Sequence, residues 1–428
     1  MEFALKYGKS TEKFTLDDSK ILQVVVPPET DLGPCAPGDV DRALDSPVGT
    51  EPLSELLAKK KPRRVVLVVN DITRPTPYDL LLPPVLDRLA KAGVTDDMIT
   101  LLVATGTHDP HTDEQNLQVY GKEIVERFRI VSHAAHDTDS MVPVGVLKSG
   151  TEFRINRLVT EADFVMTFGV VMPHYFAGYS GGRKSIMPGV AWKQTVEQNH
   201  SRMVELMDAL PDLDTNPVSL EMIEAAQMVE VDMILNVVVN EKKEIVKVLA
   251  GDLVKAWREA ARISAGLYEV PVKGPADVTI ASASGHPRDI NMYQAQKALD
   301  HADKATKKGG AIVLVADCPG GYGEKIFEEW IEDASSPEDI VRRIKTDFKM
   351  GGHKAFGFAK VAAEKTVYMV TSMSEKQVKK LFAVKVPSVE EALRRIEAER
   401  GGDFSCLVMP EGGLTVPVLP PGLNRYAL

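Results

Sequence analysis

A chain of 428 residues with 44% apolar content exceeds one ordinary core, and at roughly 100–200 residues per domain it divides into about two or three. Its 61 acidic against 51 basic residues leave a formal charge of -10. That balance, with no block of like charge, excludes the electrostatic footprint of a nucleic-acid or anionic-lipid binder and points to a small-molecule ligand.

In chain order, short β-branched apolar runs alternate with amphipathic segments. Residues 64–70 (RVVLVVN) predict a buried strand, 80–92 a helix and 99–105 (ITLLVAT) a second strand, the grammar of βαβ units and a parallel sheet. It returns at 164–168, at 233–239 (MILNVVV) and in a helix over 253–267. A Pro- and Gly-containing stretch, 269–275 (EVPVKGP), reads as a joint. Beyond it come a strand at 278–281, a helix over 293–303, a strand at 311–316 (AIVLVA), further helix and strand pairs to about residue 386, and a helix over 389–399. The tail turns strand-like again at 406–409 and 414–418.

This organisation predicts an α/β fold class: two α/β domains with largely parallel sheets and an active-site cleft between them. The expected boundaries are 1–270, completed by the tail 396–428, and 276–393. The opening residues MEFALKYGKS lack a charged leader followed by an apolar core, and no stretch approaches the roughly 18 apolar residues that span a bilayer, so a cytoplasmic location is expected. Three scattered cysteines, Cys35, Cys318 and Cys406, offer neither a disulfide framework nor a CxxC metal site and read as packing residues.

Five segments carry side chains suited to chemistry. Asn70 to Pro77 (NDITRPTP) sits where the first strand ends, the ligand-facing end in open α/β sheets. Arg74 there can offer a carboxylate a two-pronged donor, with Asp71 orienting it or a neighbouring base; the plainer reading is a turn with a surface ion pair. His108, in Ala104 to Asp109 (ATGTHD), follows a glycine at the next strand end and suits proton transfer near neutrality. A metal pair with His111 stays open beside an exposed loop histidine, without any regular ligand spacing to support it.

The third segment, Pro173 to Gly189 (PHYFAGYSGGRKSIMPG), is the densest. Gly178, Gly181 and Gly182 around Ser180 free the backbone to point N–H groups inward, and Arg183 with Lys184 adds positive charge, together a predicted phosphate cradle. It is not a Walker A loop, because Arg183 stands where that motif needs its last glycine. Lys184 in such a setting can act as a nucleophile or tether. His200, in Gln198 to Arg202 (QNHSR), can ligate a metal or simply pack. In Asn291 to Lys297 (NMYQAQK), Tyr293 and Lys297 share a helix face with Gln294 beside them, either to meet an acid substrate or as an ordinary solvated face.

Together DITRP, GTHD, PHYFAGYSGGRKS, NHS and YQAQK, in this order across nearly the whole chain, resemble the nickel-dependent lactate racemase family. The resemblance implies a racemase or epimerase of a small 2-hydroxy acid. Its implied cofactor is a nickel-pincer nucleotide, Ni(II) pyridinium-3-thioamide-5-thiocarboxylic acid mononucleotide, covalently attached at Lys184 and made by separate cofactor-biosynthesis proteins. By the same resemblance His200 is the protein ligand to nickel, and His108 and His174 are acid/base groups on opposite faces of the substrate. Arg74 and Lys297 hold its carboxylate, with Asp71, Tyr293 and Gln294 in support, and the glycine-rich loop serves the cofactor phosphate. The implied reaction is hydride transfer to and from the pyridinium, which avoids the unstable dianion that direct α-deprotonation of a hydroxycarboxylate would leave.

Residues 204–216 and Gly351-Gly352-His353 depart from the family pattern or stand in uncertain places, which leaves lactate, malate, phenyllactate and an aldonic acid open as substrates. Two other classes of function are weighed against this one. A non-catalytic organic-acid-binding protein of the same fold would not need Lys184, His200, His108 and His174 together. A zinc hydrolase would need a spaced ligand set such as HExxH, which the sequence lacks.

Overall fold

The computed structural model describes residues 1–36, 38–74, 76–206 and 213–420. The chain divides into two compact units, Thr30–Gly266 and a discontinuous unit of Met1–Glu29 with Leu267–Leu428. Among the described residues no helix is long and apolar enough to cross a membrane.

In the continuous unit, strands Val65–Asn70 and Phe164–Val171 are buried along almost their whole length, as β-branched runs covered on both faces must be. They are neighbours in a six-stranded sheet ordered Ile245–Gly251, Met233–Val239, Phe164–Val171, Val65–Asn70, Ile99–Ala104, Arg129–Ser132. Every pairing is parallel except that of Ile245–Gly251 with Met233–Val239. Helix Tyr78–Lys91 buries Tyr78, Leu81, Leu82, Val85, Leu86 and Leu89, a three-to-four spacing that lays one face on the sheet. From Val65–Asn70 the chain moves outward through Ile99–Ala104 and Arg129–Ser132, then returns to the other side with Phe164–Val171. The strand order therefore reverses between Val65–Asn70 and Phe164–Val171, and the carboxyl ends of these two strands flank the crevice where open α/β sheets bind ligands.

The discontinuous unit holds a second six-stranded sheet, wholly parallel, ordered Val384–Val386, Thr366–Val370, Thr306–Val315, Ala276–Ser282, Cys406–Met409, Ile21–Val24. This corrects the expected domain boundaries. The tail strand Cys406–Met409 pairs with Ala276–Ser282, register Val278 to Cys406 through Ala281 to Met409, so the tail completes this unit and not the one of Thr30–Gly266. The chain start belongs here too. A hairpin of Glu2–Tyr7 and Ser10–Thr15 puts Leu5, Phe14 and Leu16 into the same core as Val278, Val313 and Cys406. The physical reason is that a strand's own pattern reports which faces it buries and says nothing of which strand lies beside it. The three cysteines are free thiols, two of them buried.

Candidate active site

At the carboxyl end of Val65–Asn70 the chain turns through Asp71, which is only 4% exposed. Thr73 Oγ1 donates to Asp71 Oδ1 at 2.7 Å, and Asp71 Oδ2 lies 2.7 Å from His108 Nδ1. Burial alone would raise the Asp71 carboxyl; the bonds from His108 and Thr73 and the charges of His108 and Arg74 outweigh it and hold the group below its ordinary value. Because a carboxylate only accepts, Nδ1 of His108 carries the hydrogen toward Asp71 and Nε2 is left as the ring's other nitrogen. The His108 loop is fixed in turn: Gly106, at φ +57, donates its N–H to Gly189 O at 2.9 Å, and His108 N–H donates to Thr105 O.

His111 does not join a metal pair. Its Nε2 accepts the Ile72 N–H at 2.9 Å and its Nδ1 faces Asn116 Oδ1 at 3.1 Å, so the ring ties the Asp71 loop to helix Asp113–Tyr120. Arg74 is exposed and has no ion-pair partner among the described residues; its backbone N–H donates to Asp71 O at 3.0 Å, and its guanidinium makes a long 3.5 Å contact to Thr73 O.

Beyond the Phe164–Val171 strand, His174 pairs with Gly178 in a short antiparallel ribbon. Phe176 gathers the next three side chains: its ring centroid is 4.6 Å from His174 and 5.0 Å from His200, both near edge-on, and 5.5 Å from Lys184 Nζ. Lys184 Nζ is 3.2 Å from His174 Nε2. Burial first, then the charges of Arg183 and Arg74, hold the Lys184 amine well below its ordinary value, which favours the neutral, nucleophilic form. His200 lies in helix Lys193–Ser201 and is buried. Its neighbour Asn199 donates to Val218 O and Glu221 Oε2 at 3.1 and 2.7 Å, tying that helix to helix Pro217–Gln227.

The glycine-rich loop is built differently from the expected phosphate cradle. Ser180 N–H donates to Met172 O, Gly182 N–H to Asn236 Oδ1 and Lys184 N–H to Gly181 O, and the Ser180 hydroxyl donates to Val170 O at 2.6 Å. Gly181 and Gly182 have φ of +73 and +51, and a Cβ on them would strike Asn236, Val171 and Trp257. They are glycines because the protein itself fills the space. Gly178, at φ +74, is closed in the same way by Leu213.

Arg183 is the knot of this loop and not an outward charge. Fully buried, it donates to Ala177 O at 2.6 Å, Tyr179 O at 2.8 Å and Ser219 Oγ at 3.0 Å, with its guanidinium 3.6 Å from the Trp257 ring centroid. Trp257 Nε1 donates to Ser180 O at 2.9 Å and closes the arrangement. Sequence reading missed Asn236, Trp257 and Phe176. The signal for Asn236 was present, as the one polar residue in the apolar strand MILNVVV.

Two family descriptions match this chain: lactate racemase N-terminal domain over residues 7–209 and lactate racemase C-terminal domain over 272–418. The chain belongs to the lactate racemase family. A lactate racemase of Thermoanaerobacterium thermosaccharolyticum is 33% identical over 424 residues, 95% of this chain and 97% of the relative. One of Lactiplantibacillus plantarum is 32% identical over 382 residues, 87% and 89% of the two chains. The solved lactate racemase apoprotein of T. thermosaccharolyticum matches at TM-score 0.88 and 32% identity, over 98% of this chain and 100% of that one. A protein of Thermotoga maritima, at 20% identity and TM-score 0.63 over 86% and 97%, shares the fold.

In this lactate racemase family member the remaining expected site residues belong to the discontinuous unit. Asn291 caps helix Met292–Lys304, its Oδ1 accepting the Gln294 N–H at 3.0 Å. Tyr293 is half-buried and Gln294 and Lys297 are exposed, while Met292, Ala295, Gln296, Ala298 and Leu299 face the core. Gly351, at φ +91, starts helix Gly352–Glu364, and His353 turns back to accept the Gly351 N–H at 3.0 Å. Of the stretch 204–216, residues 207–212 lie outside the described residues; Asn216 caps helix Pro217–Gln227 and its Nδ2 donates to Phe176 O at 2.8 Å.

Proposed function

We propose that this protein racemises or epimerises a small 2-hydroxy acid, with lactate, named in its relatives, as the first substrate to test, and that it does so with a nickel-pincer nucleotide tethered to Lys184. The observation that carries the reading is the packing of His174, Lys184 and His200 on one ring, that of Phe176.

These groups fit such a cofactor. An amine held toward its neutral form could form the thioamide link to the nucleotide, and a buried imidazole on the same ring would offer a nitrogen ligand for nickel. Gly178, Ser180, Gly181, Gly182 and Arg183 serve by fixing the loop that carries Lys184. When bound, the nucleotide would supply hydride-transfer chemistry for the substrate's α-hydrogen.

The chain's own residues do the rest. Arg74 presents a forked donor to the substrate carboxylate, and Lys297, Tyr293 and Gln294 contribute further polar contacts to it. His108 Nε2 takes the hydroxyl proton of one enantiomer as its carbonyl forms. The buried Asp71 carboxylate stabilises the imidazolium and fixes its tautomer. His174 performs the same exchange for the other enantiomer, so protons balance over a turnover.

The test is intact mass and nickel content after co-expression with the cofactor-making proteins, beside Lys184→Ala. An added nucleotide mass with bound nickel in wild type alone is expected, followed by interconversion of 2-hydroxy acid enantiomers. An unmodified wild-type mass, under conditions that load a relative, would refute the assignment and favour the organic-acid-binding reading.

A further inference from the structure

The ring of Tyr293 is gripped from several sides. Phe327 and His353 meet it edge-on at 6.2 and 6.4 Å, and Lys354 Nζ lies 4.5 Å from its centroid. The same amine donates to the Tyr293 backbone carbonyl at 2.6 Å. That carbonyl is in the first turn of helix Met292–Lys304, which also bears Gln294 and Lys297.

Lys354 comes from the first turn of helix Gly352–Glu364 and is 5% exposed. Its direction is set by Gly351, where a side chain would strike Glu324 and Ile326. A lysine this deep, bonded to a carbonyl and to no carboxylate among the described residues, is costly to keep. Burial, with the charge of Lys297, pushes the amine down to about 7 against the opposing pull of Asp300. Packing alone would be served as well by methionine, so the amine's two contacts with Tyr293 are what distinguish the residue.

We infer that Lys354 is a positioning residue: it fixes the ring of Tyr293 and, through the Tyr293 carbonyl, the helix start that presents Gln294 and Lys297 to the substrate. The inference rests on the proposed reading that these three residues hold the substrate. It is tested with Lys354→Met and Lys354→Arg in protein carrying 3-fluorotyrosine, the Tyr293 signal being identified by Tyr293→Phe.

Before cofactor loading, Lys354→Met moves the Tyr293 fluorine resonance and leaves the other tyrosines in place. In the loaded enzyme it raises KM on the order of tenfold with kcat within about threefold, and Lys354→Arg recovers most of the KM. An unmoved Tyr293 resonance overturns the inference, as does an unchanged KM in Lys354→Met when Lys297→Ala raises it. Failure of the underlying reading looks different: Lys297→Ala and Tyr293→Phe then leave KM unchanged although the resonance responds to Lys354. Should methionine unfold the unit, Lys354→Arg carries the test alone, since its longer forked head must shift the Tyr293 resonance, and an unshifted signal overturns the inference.

Discussion

Arg183→Met separates a loop-building arginine from a cofactor-binding one. Three short bonds are lost, to Ala177 O, Tyr179 O and Ser219 Oγ, each worth about 1.5–3 kcal/mol for a charged donor. The contact with Trp257 at 3.6 Å goes with them. Against this, removing a buried guanidinium that has no carboxylate partner among the described residues returns several kcal/mol of desolvation. The difference is a destabilisation of about 3 kcal/mol, or a Tm fall of about 6–12 °C for a unit of this size. Thermal and urea unfolding of the protein before cofactor loading measure it, free of any effect on catalysis. Refutation would be a variant that melts within about 1 kcal/mol of wild type yet takes up no nucleotide, since Arg183 would then be a ligand of the cofactor.

Two further outcomes are expected. Asp71→Asn removes the anionic partner of His108 Nδ1, so kcat/KM should fall about 100-fold or more in both directions equally, because enantiomers are of equal energy; an unchanged value would remove His108 from proton transfer. Lys184, held low by burial, Arg183 and Arg74, gains its neutral form at lower pH than exposed lysines. Brief acetylation with peptide mapping should therefore label it at a pH below the ordinary lysine range, and Arg74→Gln, by removing a cation, should move its profile to higher pH. Labelling of Lys184 only within the ordinary lysine range would contradict this.

Much of the site could be read from strand ends. Asp71 and His108 follow runs that form strands within a residue or so of expectation, Val65–Asn70 and Ile99–Ala104, and such ends are where ligands meet parallel sheets. What stayed hidden was how a polar group is satisfied. Arg183 reads in sequence as a charge beside Lys184, and only the fold shows the loop carbonyls that receive it. Three glycines in a row of turns look like a cradle for a ligand until Leu213, Asn236 and Trp257 are seen filling the space. The tail strand and the start of the chain were misplaced or unassigned because partner choice in a sheet is a long-range property.

The discontinuous unit also sets an order of events during synthesis. Ile21–Val24 is made long before Cys406–Met409, yet it is an edge strand whose sheet neighbour is that later segment. The intervening unit has all of its own strands long before that and can fold on emergence. Meanwhile Leu5, Phe14 and Leu16 wait with their apolar faces uncovered until Val278, Val313 and Cys406 arrive to share a core. A nascent chain stalled before residue 406 thus holds every strand of the Thr30–Gly266 unit but lacks the one that joins Ile21–Val24 to Ala276–Ser282.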